Sequence, residues 1–354
     1  MCADFASGLR SLRIVSLRTL QRLALTIETR TLLLTGANGS GKTTLLEAVY
    51  VLARGRTFRS TKVGPLTTLG ASCTRIDAIF QTPDYDRIRL RYVKDGATVS
   101  RAIQPPSASL YVKLIGENAQ HLLDGEPNLR RRFLDWNVFQ AAPQFATIHA
   151  EFTRVLMQRN AAIRAGGGQR SVWDRTFIEL AEALDYQRCA FIQDWRARFL
   201  EYRTAYPFLN GAELHYRRGW PDNQELSDAL VAVAEPELKR GYTLAGPSRA
   251  DFRVTVGDER RGFSRGQTKL IVALLQLAAE SVQQARGRTP AIWLLDDLEA
   301  ELDRALAEQL WRTFEATPNP ILATRVATTG DPGVFGDTPS LTLVHMPIVA
   351  ARIN

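Results

Sequence analysis

The chain has 354 residues, 45% of them hydrophobic, and a formal net charge of +8. That is enough apolar material for one large domain or two with a sizeable core, and the positive balance fits a polyanionic partner. Its three cysteines, Cys2, Cys73 and Cys189, are far apart and never form a C-x-x-C pair, which speaks against a disulfide framework and a zinc site. The longest apolar run, Leu270 to Ala279, is too short to span a bilayer, so no membrane is expected and the cytoplasm is the default compartment. Only six of the 45 basic residues are lysines. Arginine's planar fork suits phosphate, although a GC-rich genome leaves the same bias.

In chain order, Met1 to Arg10 is a polar leader without clear period. Leu12 to Leu17 and Leu23 to Ile27 alternate as half-buried strands do. Leu32 to Leu34 is a short apolar run suited to a buried strand, and Gly36 to Thr43 spell G-x-x-x-x-G-K-T, the phosphate-binding loop pattern. Thr44 to Leu52 continues as an apolar helix. Gly36, Gly39 and Gly41 let the backbone turn its N–H groups around a phosphate, and the following helix aims its positive dipole end at the same anion. Ala37, Asn38, Ser40 and Thr44 complete the expected cradle for ATP, Lys42 reaches the β- and γ-phosphates, and Thr43 ligates Mg²⁺.

After that helix, Arg54, Arg56, Arg59 and Lys62 surround Phe58 in a stretch that fits either a nucleic-acid contact or a solvated loop. Ile76 to Phe80 and Ile88 to Val93 read as meander strands. From Glu126 the chain turns helical for about a hundred residues. One helix runs from Phe145 to Ile163, Gly166 to Gly168 break it, and a second runs from about Val172 to Tyr202. Their apolar stripes predict a helical hairpin in which aromatics such as Phe177 and Trp195 are core.

Near Leu238 the pattern returns to that of the nucleotide domain. A strand pair is expected around Val254 to Val256, and Ser264 is placed to cap a helix that is apolar almost all round. Ala291 to Leu295 is fully apolar and ends in Asp296-Asp297, as a central parallel strand ends. A carboxylate delivered beside a phosphate loop is the second half of a P-loop NTPase site: Asp296 holds Mg²⁺ through water, and Asp297 orients or deprotonates the attacking water. The next helix is expected to align Leu302, Leu306, Leu310 and Phe314, and Ile321 to Thr324 is another strand.

Ser264-Arg265-Gly266-Gln267 ahead of the acidic strand, with Glu301-Leu302-Asp303 after it, resembles the ATP-binding-cassette class of ATPases. That resemblance implies that Ser264, Gly266 and Gln267 face the γ-phosphate held by a second subunit, so that ATP joins two heads. With GANGSGKTTLLEAVY, GRTFRS, GEPNLRRRFLDW, VLMQRN, GPSRADF, SRGQTKL and LLDDLEAELD in order, the chain resembles the RecF family of bacterial DNA replication and repair proteins. The family implies an α/β P-loop NTPase head of the ATP-binding-cassette type with a mixed sheet, plus an inserted α-helical arm. The expected division is a leader over 1–10, head over 11–125, arm over 126–237 and head again over 238–354. It also implies an ATP-dependent homodimer on gapped, single-stranded or junction DNA, with weak DNA-stimulated hydrolysis, that works with RecO and RecR to place RecA. Ser248 stands where the family usually has histidine, and Ala300 where it has serine. A transporter subunit or a divergent SMC-like ATPase is the alternative.

Overall fold

The computed structural model describes residues 7–59, 66–117, 119–167, 170–256, 263–327, 332–336, 338 and 341–346. In chain order the elements are β1 (Gly8–Leu17), β2 (Leu20–Thr26), β3 (Thr31–Gly36), α1 (Lys42–Arg54), β4 (Cys73–Thr82), β5 (Tyr85–Asp95), β6 (Thr98–Gln104) and β7 (Val112–Ile115). Then come α2 (His121–Asp124), α3 (Pro127–Ala141), α4 (Phe145–Arg164), α5 (Arg170–Arg203), β8 (Ala212–Arg217), α6 (Leu226–Ala232), α7 (Ala234–Arg240), β9 (Asp251–Val256) and α8 (Arg265–Ala285). The chain closes with β10 (Ile292–Leu295), α9 (Arg304–Glu315), β11 (Ile321–Val326) and β12 (Leu341–Met346). Contacts group these into two units, Met1–Ala119 with Thr289–Asn354, and Gln120–Arg288.

The first unit holds two five-stranded sheets. One is wholly parallel, in the order β12-β3-β11-β10-β7, and the other antiparallel, in the order β2-β1-β4-β5-β6. The mixed sheet expected of the head is thus divided between two sheets. Every residue of β3 and of β10 is buried, which is why both read as unbroken apolar runs. β4 alternates instead, with Thr74, Ile76, Ala78 and Phe80 inward. α1 packs against strands of both sheets, and its Leu45, Leu46, Ala48, Val49, Val51 and Leu52 are all fully buried.

The second unit is built on α5, whose Phe177, Leu184, Phe191, Trp195 and Phe199 are buried, with α4 lying along it as the expected hairpin partner. Trp195 donates its indole N–H to the carbonyl of Leu275 on α8 at 2.8 Å, and Phe252 of β9 meets it edge-on with ring centres 5.0 Å apart. These contacts group α8 with the second unit, which runs to Arg288. The apolar character of α8 had pointed to burial without saying against what.

Four strands went unseen in the sequence for local reasons. β6 is exposed along nearly all its length, β7 has four residues, β8 alternates over only six, and β12 buries one side chain. The first strand starts at Gly8, inside the expected leader. Leu302 precedes α9, whose N-cap is Asp303, and the buried face of α9 is Ala307, Leu310, Trp311 and Phe314.

Arg130 on α3 forms a two-toothed pair with Asp251 at the start of β9, at 2.7 and 3.0 Å, and also donates to the carbonyls of Leu123 and Gly125. Both side chains are buried, so removing one leaves a buried charge unanswered. Arg130→Met is expected to destabilise the second unit by about 3–5 kcal/mol in urea unfolding. Arg175→Ala, which breaks an exposed pair with Glu179 along one helix, should change nothing measurable.

Candidate nucleotide-binding site

The loop between β3 and α1 is held open by its glycines. Gly36, Gly39 and Gly41 all have positive φ, at 149°, 80° and 100°. A Cβ on Gly36 would meet the Met346 carbonyl oxygen at 2.3 Å, and one on Gly41 would meet Leu20 Cδ2 at 2.7 Å. A side chain at Gly36 would displace the Met346 backbone, and one at Gly41 would push aside the Leu20 side chain and strain a left-handed backbone. No side chain caps α1, because the residue before it is Gly41. Its first N–H groups, and the positive end of its dipole, are therefore left for an anion.

Lys42 Nζ donates to the carbonyls of Gly36 and Ala37 at 2.7 and 2.8 Å, across the mouth of the loop. Burial pushes its ammonium pKa down, while Asp297 and then Asp296 pull it back up. Ser40 Oγ is buried with no hydrogen-bond partner among the described residues, a donor suited to a phosphate oxygen. Thr44 is buried on α1. A cleft of about 990 Å³ opens beside the loop, lined by Leu20, Arg22, Asn38, Ser40, Thr68 and Met346 among others. It is roughly the size of a small-molecule site. No local pattern announces this cleft, because its walls come from β2, the stretch after Leu66 and the last strand.

The acidic pair arrives by sheet register. β10 and β11 run parallel with Leu295 beside Ala323, which sets Asp296 next to Thr324. Thr324 donates to Asp296 Oδ1 at 2.8 Å and accepts the Asp297 N–H at 2.9 Å. Thr43 donates to the same Asp296 oxygen at 3.0 Å. One hydroxyl and one carboxylate from facing elements are a fitting donor set for Mg²⁺, which takes one or two carboxylates plus phosphate oxygens and water. No group of three or more His, Cys, Asp or Glu side chains with metal-binding arrangement occurs among the described residues. Asp297 sits at φ 52°, a left-handed conformation that costs an ordinary residue about 1–2 kcal/mol. Thr324 helps hold it there, and its part was invisible from spacing alone.

Glu299 is committed elsewhere. It pairs with Arg325 at 2.7 Å and accepts the Val334 N–H at 3.3 Å. Ser264, in the second unit, caps α8 through a reciprocal box: its Oγ accepts the Gln267 N–H at 3.2 Å, and Gln267 Oε1 accepts the Ser264 N–H at 2.9 Å. Gly266 lies in the first turn of that helix. Of the expected DNA-contacting cations, Arg56 and Arg59 are exposed, Arg54 is half-buried in the last turn of α1, and Lys62 lies outside the described residues. Phe58 stacks edge-on against Tyr50, with centres 5.3 Å apart, and so anchors the loop. Thr57 donates to the buried Glu47, which also takes Arg18 Nη2 at 2.8 Å.

A glycine loop on a parallel sheet, a strand-end acid pair and a separate serine-capped helix define a P-loop ATPase head of the ATP-binding-cassette type. Residues 8–321 match the family model of the RecF/RecN/SMC N terminal domain. A protein of Stutzerimonas stutzeri, "DNA replication and repair protein RecF", is 32% identical over 356 residues, covering 96% of this chain and 95% of its own. The same-named protein of Pseudomonas fluorescens is 33% identical over 323 residues, covering 87% and 88%. The chain belongs to the RecF family. Its fold is similar to that of a structure described as the recombination mediator protein RecF with ATP in the RecFOR pathway, at a TM-score of 0.76, 17% identity and 93% and 95% coverage. It is also similar to the Smc head domain of Pyrococcus furiosus bound to the C-terminal domain of ScpA, at 0.55, 13% identity and 91% and 90% coverage. No described helix is long and apolar enough to cross a membrane.

The depressed Lys42 has a consequence for ATP affinity. A lysine whose pKa is lowered in the free protein loses its proton as pH rises, before reaching the ordinary value of 10.5. Phosphate binding favours the charged form, so ATP affinity should begin to fall below pH 10.5, approaching tenfold per pH unit above the lowered pKa. Fluorescent-ATP titrations across alkaline pH check this. Lys42→Arg, which keeps its charge, should lack the fall.

Proposed function

We propose that this chain is an ATP-dependent DNA-binding clamp of recombinational repair. Two copies close on ATP at gapped or single-stranded/double-stranded junction DNA, hydrolyse it slowly with DNA stimulation, and act with RecO and RecR to place RecA. Family membership and the repair and recombination roles named for the relatives support the setting. The observation that carries the reading is the hydrogen-bonded set Thr43, Asp296, Thr324 and Asp297 beside the glycine loop, together with a capped helix starting at Ser264.

The loop N–H groups, Ser40 and Lys42 bind the β- and γ-phosphates, and Thr43 with Asp296 would hold Mg²⁺, which would offset the phosphate charge. Asp297 orients the attacking water and accepts its proton; its neighbour Glu299 is tied up by Arg325. A short, strongly anionic γ-phosphate then meets the N-terminus of the partner copy's α8, where N–H groups and dipole favour ATP over ADP. The proposed head halves are 11–125 and 238–354 around an arm over 126–237. DNA contact is electrostatic and independent of base sequence. Arg56 and Arg59 are its exposed candidates after α1, with Arg54 and Lys62 beside them.

The decisive test uses two inactive variants. Ser264→Arg should bind ATP as a monomer within about twofold of wild type yet fail to dimerise, and losing the cap should cost only about 1 kcal/mol. Lys42→Met should not bind ATP. Mixed one to one, they can form a dimer with a single intact composite site, so ATP-dependent mixed dimers are expected by analytical ultracentrifugation. A Ser264→Arg protein that assembles and hydrolyses ATP at the wild-type rate would contradict the shared site.

A further inference from the structure

The antiparallel sheet of the first unit has a core face and an outer face, and the outer face is unusual in its charge. On β5, Ile88, Leu90 and Tyr92 are buried, so Arg87, Arg89 and Arg91 point outward. On β4 the alternation puts Arg75 and Asp77 outward, on β1 it puts Arg13 outward, and on β2 Arg22. The register aligns Arg13, Asp77 and Arg91 in one row across three strands, and Arg22, Val15 and Arg75 in the next. A shallow concavity of about 640 Å³ lies over this face. Arg13, Arg75, Arg89 and Arg91 line it, with Asp77 as its one carboxylate.

Asp77 is already spent on two of these cations, Arg75 and Arg91, each at 2.6 Å. Burial raises its pKa, but the hydrogen bonds from those two arginines outweigh burial and hold its carboxyl below the usual range. No hydrogen bond or ion pair engages the side chain of Arg13, Arg22 or Arg89 among the described residues. Four surface cations on helices are by contrast matched by an acid three or four residues away, in Arg175–Glu179, Arg198–Glu201, Lys239–Glu235 and Arg304–Glu308. Charged residues can also serve to keep sheet edges from pairing. That does not account for Arg13 and Arg75, because β1 and β4 are interior strands of their sheet.

We infer that this outer sheet face, centred on Arg13 and Arg89, is a docking surface for the sugar-phosphate backbone of duplex DNA. Strands lie about 4.8 Å apart and same-face residues about 6.8 Å apart along a strand, so the face offers a grid of guanidinium groups to a duplex carrying one charge per about 1.7 Å of axis. Single strands are gripped mainly by aromatic stacking, and no aromatic residue lines the concavity. All residues that line the concavity lie on strands, with no described helix among them to enter a groove, so contact is with phosphates and carries no base preference. The inference rests on the DNA-binding reading above and assigns it a surface separate from the Arg54 to Lys62 stretch.

The experiment is fluorescence anisotropy of a labelled duplex with the full chain and ATP–Mg²⁺, between 50 and 200 mM salt, roughly the range over which phosphate contacts show their dependence. The Arg13→Ala/Arg89→Ala variant should bind at least tenfold more weakly, with the slope of log affinity against log salt reduced by about 1.8, or about 0.9 per lost contact. Arg13→Lys/Arg89→Lys should retain most of the slope, and fluorescent-ATP affinity should be unchanged in both. Ala24, which pairs with Arg13 across β1 and β2, gives an independent readout: Ala24→p-benzoylphenylalanine should photocrosslink to the duplex. Wild-type duplex affinity and slope in the alanine variant, with no crosslink, would overturn the inference and leave the face to an acidic protein. If the wild-type chain itself binds no duplex at any salt, the clamp reading falls as well.

Discussion

Backbone amides, rather than side chains, are the groups on which the nucleotide head depends. A polyphosphate can be wrapped by N–H groups only if the chain turns through conformations that a Cβ forbids, and Gly36 and Gly41 do so against the Met346 carbonyl and Leu20. The same constraint explains why β3 is central and α1 uncapped. β3 pairs with β11 on one side and β12 on the other, which fixes the loop's start, while α1 buried between two sheets fixes its end.

Parallel register then converts this fixed loop into a chemical site. Asp296 stands beside Thr324 because β10 and β11 are in register, and Thr324 uses its one hydroxyl twice, as donor to Asp296 and acceptor from Asp297. A valine there would keep the volume but leave a backbone N–H and a carboxylate oxygen short of a partner, a loss of the kind that costs about 1–3 kcal/mol each when buried. The strained φ of Asp297 is held by this hydrogen bond and points the second acid away from the path of the strand.

Much of this was legible in the sequence, where physical necessity writes a local signal. The glycine loop, the buried strands β3 and β10, the α4–α5 pair and the Ser264 cap each have a short-range pattern, and each was recognisable. Thr324, the cleft walls at Leu20 and Met346, and strands β7 and β12 had none, because their roles come from register with strands far away in the chain. The arginine excess was ambiguous for the same reason. Arg130, Arg159 and Arg188 are buried in pairs with Asp251, Glu237 and Asp135, whereas Arg13 and Arg89 face outward, and composition cannot tell these uses apart.

The central claim is that ATP, and not ADP, joins two copies of this chain. The most direct measurement is solution mass by light scattering in ATP–Mg²⁺, ADP–Mg²⁺ and no nucleotide, for a chain of 39.5 kDa. The account predicts the monomer mass without nucleotide and with ADP, and twice that mass with ATP. An identical mass in all three conditions, at protein concentrations where ATP is bound, would contradict it.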